Sequence, residues 1–293
     1  MIYEGIRGNK GTKVQSEMPA DDRLNINTAL TRKLLVSFIR SELGKFGFQR
    51  AVVALSGGVD STLVAFLSAE ALGQANVLAV MMPYRTSDPQ SEADARLVIG
   101  RLGLQSRHVE ITPMVEPYLA LYPDMGPKRR GNVMARARMI VLYDQSEEFG
   151  GLVIGTSNKT EALLGYFTLF GDAAAAIQPL ADLYKTQVRQ LARAVGVPGH
   201  IVDKAPSADL WIGQTDEGEL GFTYADVDQL LFRLIDERAT PEELVEQGFD
   251  SSFVRRVMSI VQRTQYKRLP PPIAKVNNRT IGADFLYPRD WGV

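Results

Sequence analysis

With 293 residues, 45% of them hydrophobic and 23% charged, the chain is long enough to bury one sizeable core or two small ones. A net charge of −1 supplies no positive field for a nucleic-acid backbone, so no nucleic-acid partner is expected. The absence of cysteine removes disulfides, thiolate metal sites and every cysteine nucleophile, including the kind that usually frees ammonia from glutamine.

Residues 1–22 are polar, carry Gly5, Gly8 and Gly11, and read as a flexible extension without the apolar centre of a signal peptide. No apolar run reaches spanning length, so no membrane is expected and a cytoplasmic address follows. Residues 26–43 place Leu30, Leu34, Leu35, Phe38 and Ile39 at helical spacing. The chain then alternates. Strands are predicted at 51–55, 77–82, 107–111 and 152–154, and helices at 61–72, 91–102, 131–149 and 185–195. Gly73, Gly103, Gly150 and Gly196 are placed to stop those helices. Such alternation argues an α/β fold, a doubly wound, Rossmann-like parallel sheet flanked by helices, with ligands at the carboxyl ends of the strands. Residues 203–224 are irregular and rich in Asp, Glu, Gly and Ser, as a lid would be. Two further helices are predicted at 224–238 and 240–262, the second opened by Thr240-Pro241-Glu242-Glu243. The proline run after Lys267 and Arg268 starts an extended tail, which puts one domain at 23–275 and a tail at 276–293.

The first strand runs directly into Ser56-Gly57-Gly58-Val59-Asp60-Ser61 and a helix. A strand, a tight glycine turn and a helix N-terminus gather backbone N–H groups and a positive dipole end around one small space, which suits a phosphate chain. The serines add hydroxyl donors, and Asp60 can hold magnesium. The common cradle G-x-x-x-x-G-K-[ST] is absent, and this loop has no lysine. It resembles the pyrophosphate-binding loop of the N-type ATP pyrophosphatases, of the adenine nucleotide alpha hydrolase type, which split ATP into AMP and pyrophosphate. His108 and His200 lie outside any H-E-x-x-H setting and read as surface or structural residues.

Three more segments extend the likeness: 155–168 (GTSNKTEALLGYFT), 179–189 (PLADLYKTQVR) and 205–224 (APSADLWIGQTDEGELGFTY). Together, in this order, they resemble the ammonia-dependent NAD synthetases over roughly residues 30–271. That resemblance implies a homodimeric ligase that adenylates the carboxylate of deamido-NAD with ATP and then amidates it with ammonia. Free ammonia or a separate glutaminase subunit would supply the nitrogen. Asp60 and Glu161 match the family's magnesium ligands. Thr156, Lys185 and Ser207 match ATP contacts, and Met82 matches the adenine wall, where Met81 replaces a frequent arginine. Arg136, in an N-x-x-x-R-x-R helix with Arg138, matches a deamido-NAD contact, as do Asp172 and Lys267. Asp209, Asp216 and Glu217 fall in the family's mobile loop, whose closure would keep water from a hydrolysable acyl adenylate.

The acceptor half departs from the family pattern at Leu169, where a lysine is frequent, at Ala176 for an aspartate, and at Tyr266 for a histidine. Two other readings therefore stand beside the first. One is a related adenylating amidase with a different carboxylate substrate, and the other is a nucleotide-binding sensor without turnover.

Overall fold

The computed structural model describes residues 22–281 apart from Ala208 and Ile212. The extension expected at 1–22 and the tail expected at 276–293 therefore lie mostly outside the described residues. Ala51–Ala54 (β1), Val77–Met81 (β2), Gln105–His108 (β3) and Leu152–Ile154 (β4) form a parallel sheet in the order β3-β2-β1-β4. Val53 of β1 stands opposite Ala79 on one side and Ile154 on the other. The chain builds outward from β1 to β3, then returns to place β4 on the far side of β1. The carboxyl ends of β1 and β4 thus flank a topological switch point, where sheets of this kind open a crevice. A parallel bridge between Ile154 and Ile177 continues the sheet past β4.

Both faces of the sheet are covered, which is why β1 and β2 read as unbroken apolar runs. Helices α1 (Thr28–Gly44), α2 (Val59–Leu72) and α3 (Pro89–Leu102) come early in the chain. They are followed by α4 (Thr112–Ala120), α5 (Pro127–Phe149), α6 (Lys159–Leu164) and α7 (Lys185–Val195). Ala51, Val53, Ala79 and Met81 bury against Ile39, Leu63, Leu67 and Leu191 of α1, α2 and α7. Val52, Leu78, Val80 and Val153 point the other way, onto Val115 of α4 and Met134 and Leu142 of α5. After α8 (Gly199–Asp203) and α9 (Asp216–Leu220), the chain adds α10 (Tyr224–Leu231), α11 (Pro241–Glu246) and α12 (Ser251–Arg263). Tyr184, Tyr224, Leu230, Leu244 and Val257 build a third apolar cluster there, beside α6.

The four glycines expected to stop helices cap α2, α3, α5 and α7. Elsewhere the boundaries move for identifiable reasons. β3 starts two residues before the expected run, because it is an edge strand whose polar residues are mostly exposed. The apolar residues that suggested a strand, Val109 and Ile111, donate to Met81 O and Pro83 O beyond the ladder. Thr112 and Pro113 then open α4, a helix hidden from the sequence by its length and by Pro117 inside it. The helix expected over 240–262 is two, since Gly248 takes φ +97° and Asp250 caps a fresh start. The residues expected at 203–224 as irregular include α9. In α1, Ile39 faces the core, while Leu30, Leu34 and Phe38 face outward.

Candidate active site

Leu55 N still bonds to Val80 O, so Ser56 is the first residue to leave the sheet. Gly57 takes φ +78°, and a Cβ there would lie 2.1 Å from the carbonyl oxygen of Ser91 on α3. Glycine alone permits so tight a turn against that backbone. The hydroxyls brace the turn: Ser56 Oγ and Ser61 Oγ are 3.0 Å apart, Ser56 N donates to Ser61 Oγ, and Gly58 N donates to Ser56 Oγ. Gly58 opens α2 without a side-chain cap, which keeps the positive end of that helix open to an anion.

Beyond β4, fully buried Asn158 caps α6. Its Oδ1 accepts from Glu161 N at 3.0 Å, and its Nδ2 donates to Asp60 Oδ1 at 2.9 Å, so the cap of one helix holds the first turn of another. Lys185, opening α7, donates through Nζ to Asp60 Oδ2 at 2.6 Å and to Glu161 Oε1 at 3.1 Å. Its Nζ also stands 5.2 Å from the centre of the Tyr224 ring. Three helix N-termini thereby deliver an acid, a second acid and an ammonium to one point. Burial is the main cause that pushes Glu161 up to about 7, and the neighbouring Asp60 charge adds to it. Burial works against the charge of Lys185, but Asp60 and Glu161 outweigh it and hold this lysine above its ordinary range. Two hard carboxylates meeting at one cation fit magnesium, which takes one or two protein carboxylates and completes its shell with phosphate oxygens and water. Among the described residues no group of three or more His, Asp or Glu could hold a metal by itself. A protein-only cage is therefore not what this donor set offers.

Two residues unassigned by the sequence support this point. Asn158 is one, and its N-x-x-E capping pattern was legible. Asp228 is the other: fully buried on α10, it accepts from Thr160 Oγ1 at 2.5 Å and from Thr186 N at 2.8 Å. Those partners are the neighbours of Glu161 and Lys185, so Asp228 fixes both from behind. Burial pushes its carboxyl up to about 6. Asp216, buried on α9, accepts from the hydroxyls of Tyr166 and Tyr224, each at 3.2 Å, and burial raises its pKa too.

All the expected nucleotide-side residues except Gly57 line a single cleft of about 2390 Å³, and Gly57 lies just behind it. Arg136, Asp172 and Lys267 line the same cleft. Arg136 Nη2 donates to Leu169 O at 3.1 Å, and Arg138 Nε donates to Met82 O at 3.0 Å. Asp172 accepts from Thr168 N at 2.8 Å, while Lys267 Nζ donates to Gly165 O and Phe167 O and stands over the Phe167 ring. Lys267 therefore organises the turn after α6. Leu169 and Tyr266 line the cleft and Ala176 does not. The described residues between Pro206 and Asp216 form a strap that lines the cleft, closed at its base by Asp216 N donating to Pro206 O at 2.9 Å. Asp209 accepts from Asp88 N, and Leu210 packs on Gly131, where a Cβ would lie 2.8 Å from Leu210 Cδ1. Ser207, Asp209 and Asp216 reach the cleft. Glu217 does not; its Oε1 accepts from Tyr224 N at 2.9 Å and so caps the entry to α10.

The same chain can be set beside known proteins. It is 59% identical to the NH(3)-dependent NAD(+) synthetase of Trichlorobacter lovleyi, over 92% of this chain and 99% of that one. It is 52% identical to the enzyme of the same name from Chlorobaculum tepidum, over 92% and 97%. Among solved structures, NMN synthetase from Francisella tularensis superposes with a TM-score of 0.74 at 32% identity, covering 87% of this chain and all of that one. The NH3-dependent NAD synthetase from Campylobacter jejuni, in complex with nitrate, gives 0.73 at 30%, covering 85% and 100%. The family described as NAD synthase matches residues 31–271, and the chain belongs to that family.

Proposed function

We propose that this protein is an ammonia-dependent NAD synthetase acting through the cleft at the switch point. A carboxylate oxygen of deamido-NAD attacks the α-phosphorus of ATP, the bond to the β-phosphate bridging oxygen breaks, and pyrophosphate leaves. Ammonia then attacks the acyl carbon of the adenylate, loses a proton, and AMP departs with the bonding pair. A carboxylate is a weak nucleophile, so the barrier falls mainly through positioning and neutralisation of phosphate charge. The turn from Ser56 to Ser61 would receive the phosphates on backbone N–H groups and hydroxyls. Asp60 and Glu161 would hold magnesium, whose charge would offset that of the leaving pyrophosphate. Lys185 supplies a permanent positive charge at the same point. Thr156 and Ser207 complete the phosphate side and Met82 the adenine side. Arg136, Asp172 and Lys267 serve the acceptor. The strap carrying Ser207, Asp209 and Asp216 keeps water from the adenylate. A homodimer in the cytoplasm, fed by free ammonia or by a separate glutaminase subunit, completes the proposal.

The observation that carries this reading is the meeting of Asp60, Glu161 and Lys185 beside an uncapped glycine turn. A sensor without turnover leaves that arrangement without a purpose. Purified protein given ATP, magnesium, ammonium and deamido-NAD should yield NAD, AMP and pyrophosphate in equal amounts, and glutamine should not replace ammonium. A parallel arm with the mononucleotide counterpart, deamido-NMN, separates the two products, NAD and NMN, that the names of the relatives give. No AMP with either acceptor would end the ligase reading, and AMP with deamido-NMN alone would move it to the mononucleotide.

A further inference from the structure

Behind the glycine turn lies an ion pair that the reaction above does not use. Asp94, 2% exposed on α3, accepts at Oδ1 from Gln90 Nε2 at 2.8 Å and pairs there with His200 Nε2 at 3.1 Å. Its Oδ2 accepts from Lys204 Nζ at 3.0 Å, and the same Nζ donates to Ser91 Oγ at 3.0 Å. Gln90 and Asp94 lie one helical turn apart on α3, and His200 and Lys204 have the same spacing through α8. The two segments are thus locked face to face, and α8 itself is anchored by fully buried Ile201 and Val202. The same stretch of α3 touches the nucleotide turn: the added Cβ at Gly57 would meet Ser91 O at 2.1 Å and Asp94 Cβ at 3.2 Å. Lys204 lies two residues before Pro206, where the strap closes on Asp216 N, and three before Ser207.

We propose that Asp94 and Lys204 are positioning residues for adenylation. Their pair makes the stem of the strap and the back of the glycine turn one rigid unit, so that Ser207 and the Ser56–Ser61 turn address the same phosphate chain. A buried ion pair is often replaceable by apolar groups without loss of stability, so its value is better sought in geometry. Asp94 does not line the cleft, and Lys204, which does, spends its ammonium on Asp94 and Ser91, so the effect of the pair belongs in the use of ATP rather than of the acceptor. The proposal rests on the cleft being an ATP site.

The test uses Lys204→Met, the double variant Asp94→Asn with Lys204→Met, which leaves no unpaired charge, and Lys204→Arg. Both methionine variants should raise KM for ATP or lower kcat about tenfold or more, with KM for deamido-NAD within about twofold of wild type. Lys204→Arg should recover most of that loss. A double variant with wild-type KM for ATP and wild-type kcat, whatever its melting temperature, overturns the proposal. A second readout does not depend on the acceptor: ATP with magnesium should protect the strap from proteolysis in wild type and fail to do so in the methionine variants. If deamido-NAD yields no AMP in any form, the proposed function fails, and the proteolysis result still decides the positioning role. Equal protection in all forms overturns it.

Discussion

Lys185 keeps its charge in a place where burial alone would remove it, because two carboxylates share its ammonium group. That arrangement sets a specific expectation for Lys185→Met. Removing the cation leaves Asp60 and Glu161 facing each other, with side chains only 16% and 17% exposed. The loss should be about 2–4 kcal/mol, under the value for a fully buried pair, since Glu161 can take up a proton instead. Magnesium without ATP should then recover part of the melting temperature of the variant and change wild type little. A calorimetric scan with and without the ion checks this, and equal shifts would mean that the two acids do not share one cation. Asn158 allows a second contrast. Asn158→Ala removes the cap of α6, at about 1 kcal/mol, together with the 2.9 Å bond that holds Asp60. Asn158→Asp restores the cap but sets a like charge against Asp60. Chemical denaturation should find both variants less stable than wild type, Asn158→Asp the more so because a buried like charge costs more than a cap, with AMP formation depressed in both.

At the scale of elements, the glycine turn and the capped start of α6 were legible because each is a local pattern with its own chemistry. The packing of the strap was not. Leu210 needs the bare helix surface at Gly131, a residue 79 positions earlier whose lack of a side chain looks from sequence like a weakness in α5. Gly131→Ala brings a Cβ within 2.8 Å of a flexible Leu210 methyl, which can turn aside. Gly131→Val fills the notch. The expected outcome for Gly131→Val is a melting temperature near wild type with AMP formation reduced about tenfold, as the strap loses its seat. Gly131→Ala should be closer to wild type in activity and slightly more stable, from the better helix propensity of alanine, about 1 kcal/mol at most. If both variants turned over at the wild-type rate, Leu210 packing would have no part in closure. The edge strand β3 shows the opposite failure of legibility: its exposed polar residues carry no apolar period, so only its partner β2 marks its place.

Across the whole molecule, the sheet order gathers residues from distant stretches of chain, and the sequence showed which residue types would meet but not what holds them together. Asp228 illustrates the difference. On its own it is one acid in a helix of ordinary composition, 68 residues beyond Thr160 and 42 beyond Thr186. Only the third apolar cluster, which brings α10 against α6 and α7, turns it into a buried tie. The burial leaves a signature in pH. Its carboxyl titrates at about 6 in the folded chain and near 3.8 when unfolded, so between those values the native state binds the extra proton. Stability from this group is therefore full at low pH and declines as pH rises through about 6, by up to roughly 3 kcal/mol. Asp228→Asn has no proton to lose and should lack that slope. Melting temperatures measured from pH 4.5 to 7 should show the advantage of wild type over the variant greatest at the acid end and shrinking as pH rises. An advantage that grew toward pH 7 would mean that Asp228 is held as a carboxylate by its partners, and that the junction of α6, α7 and α10 is stabilised by its charge.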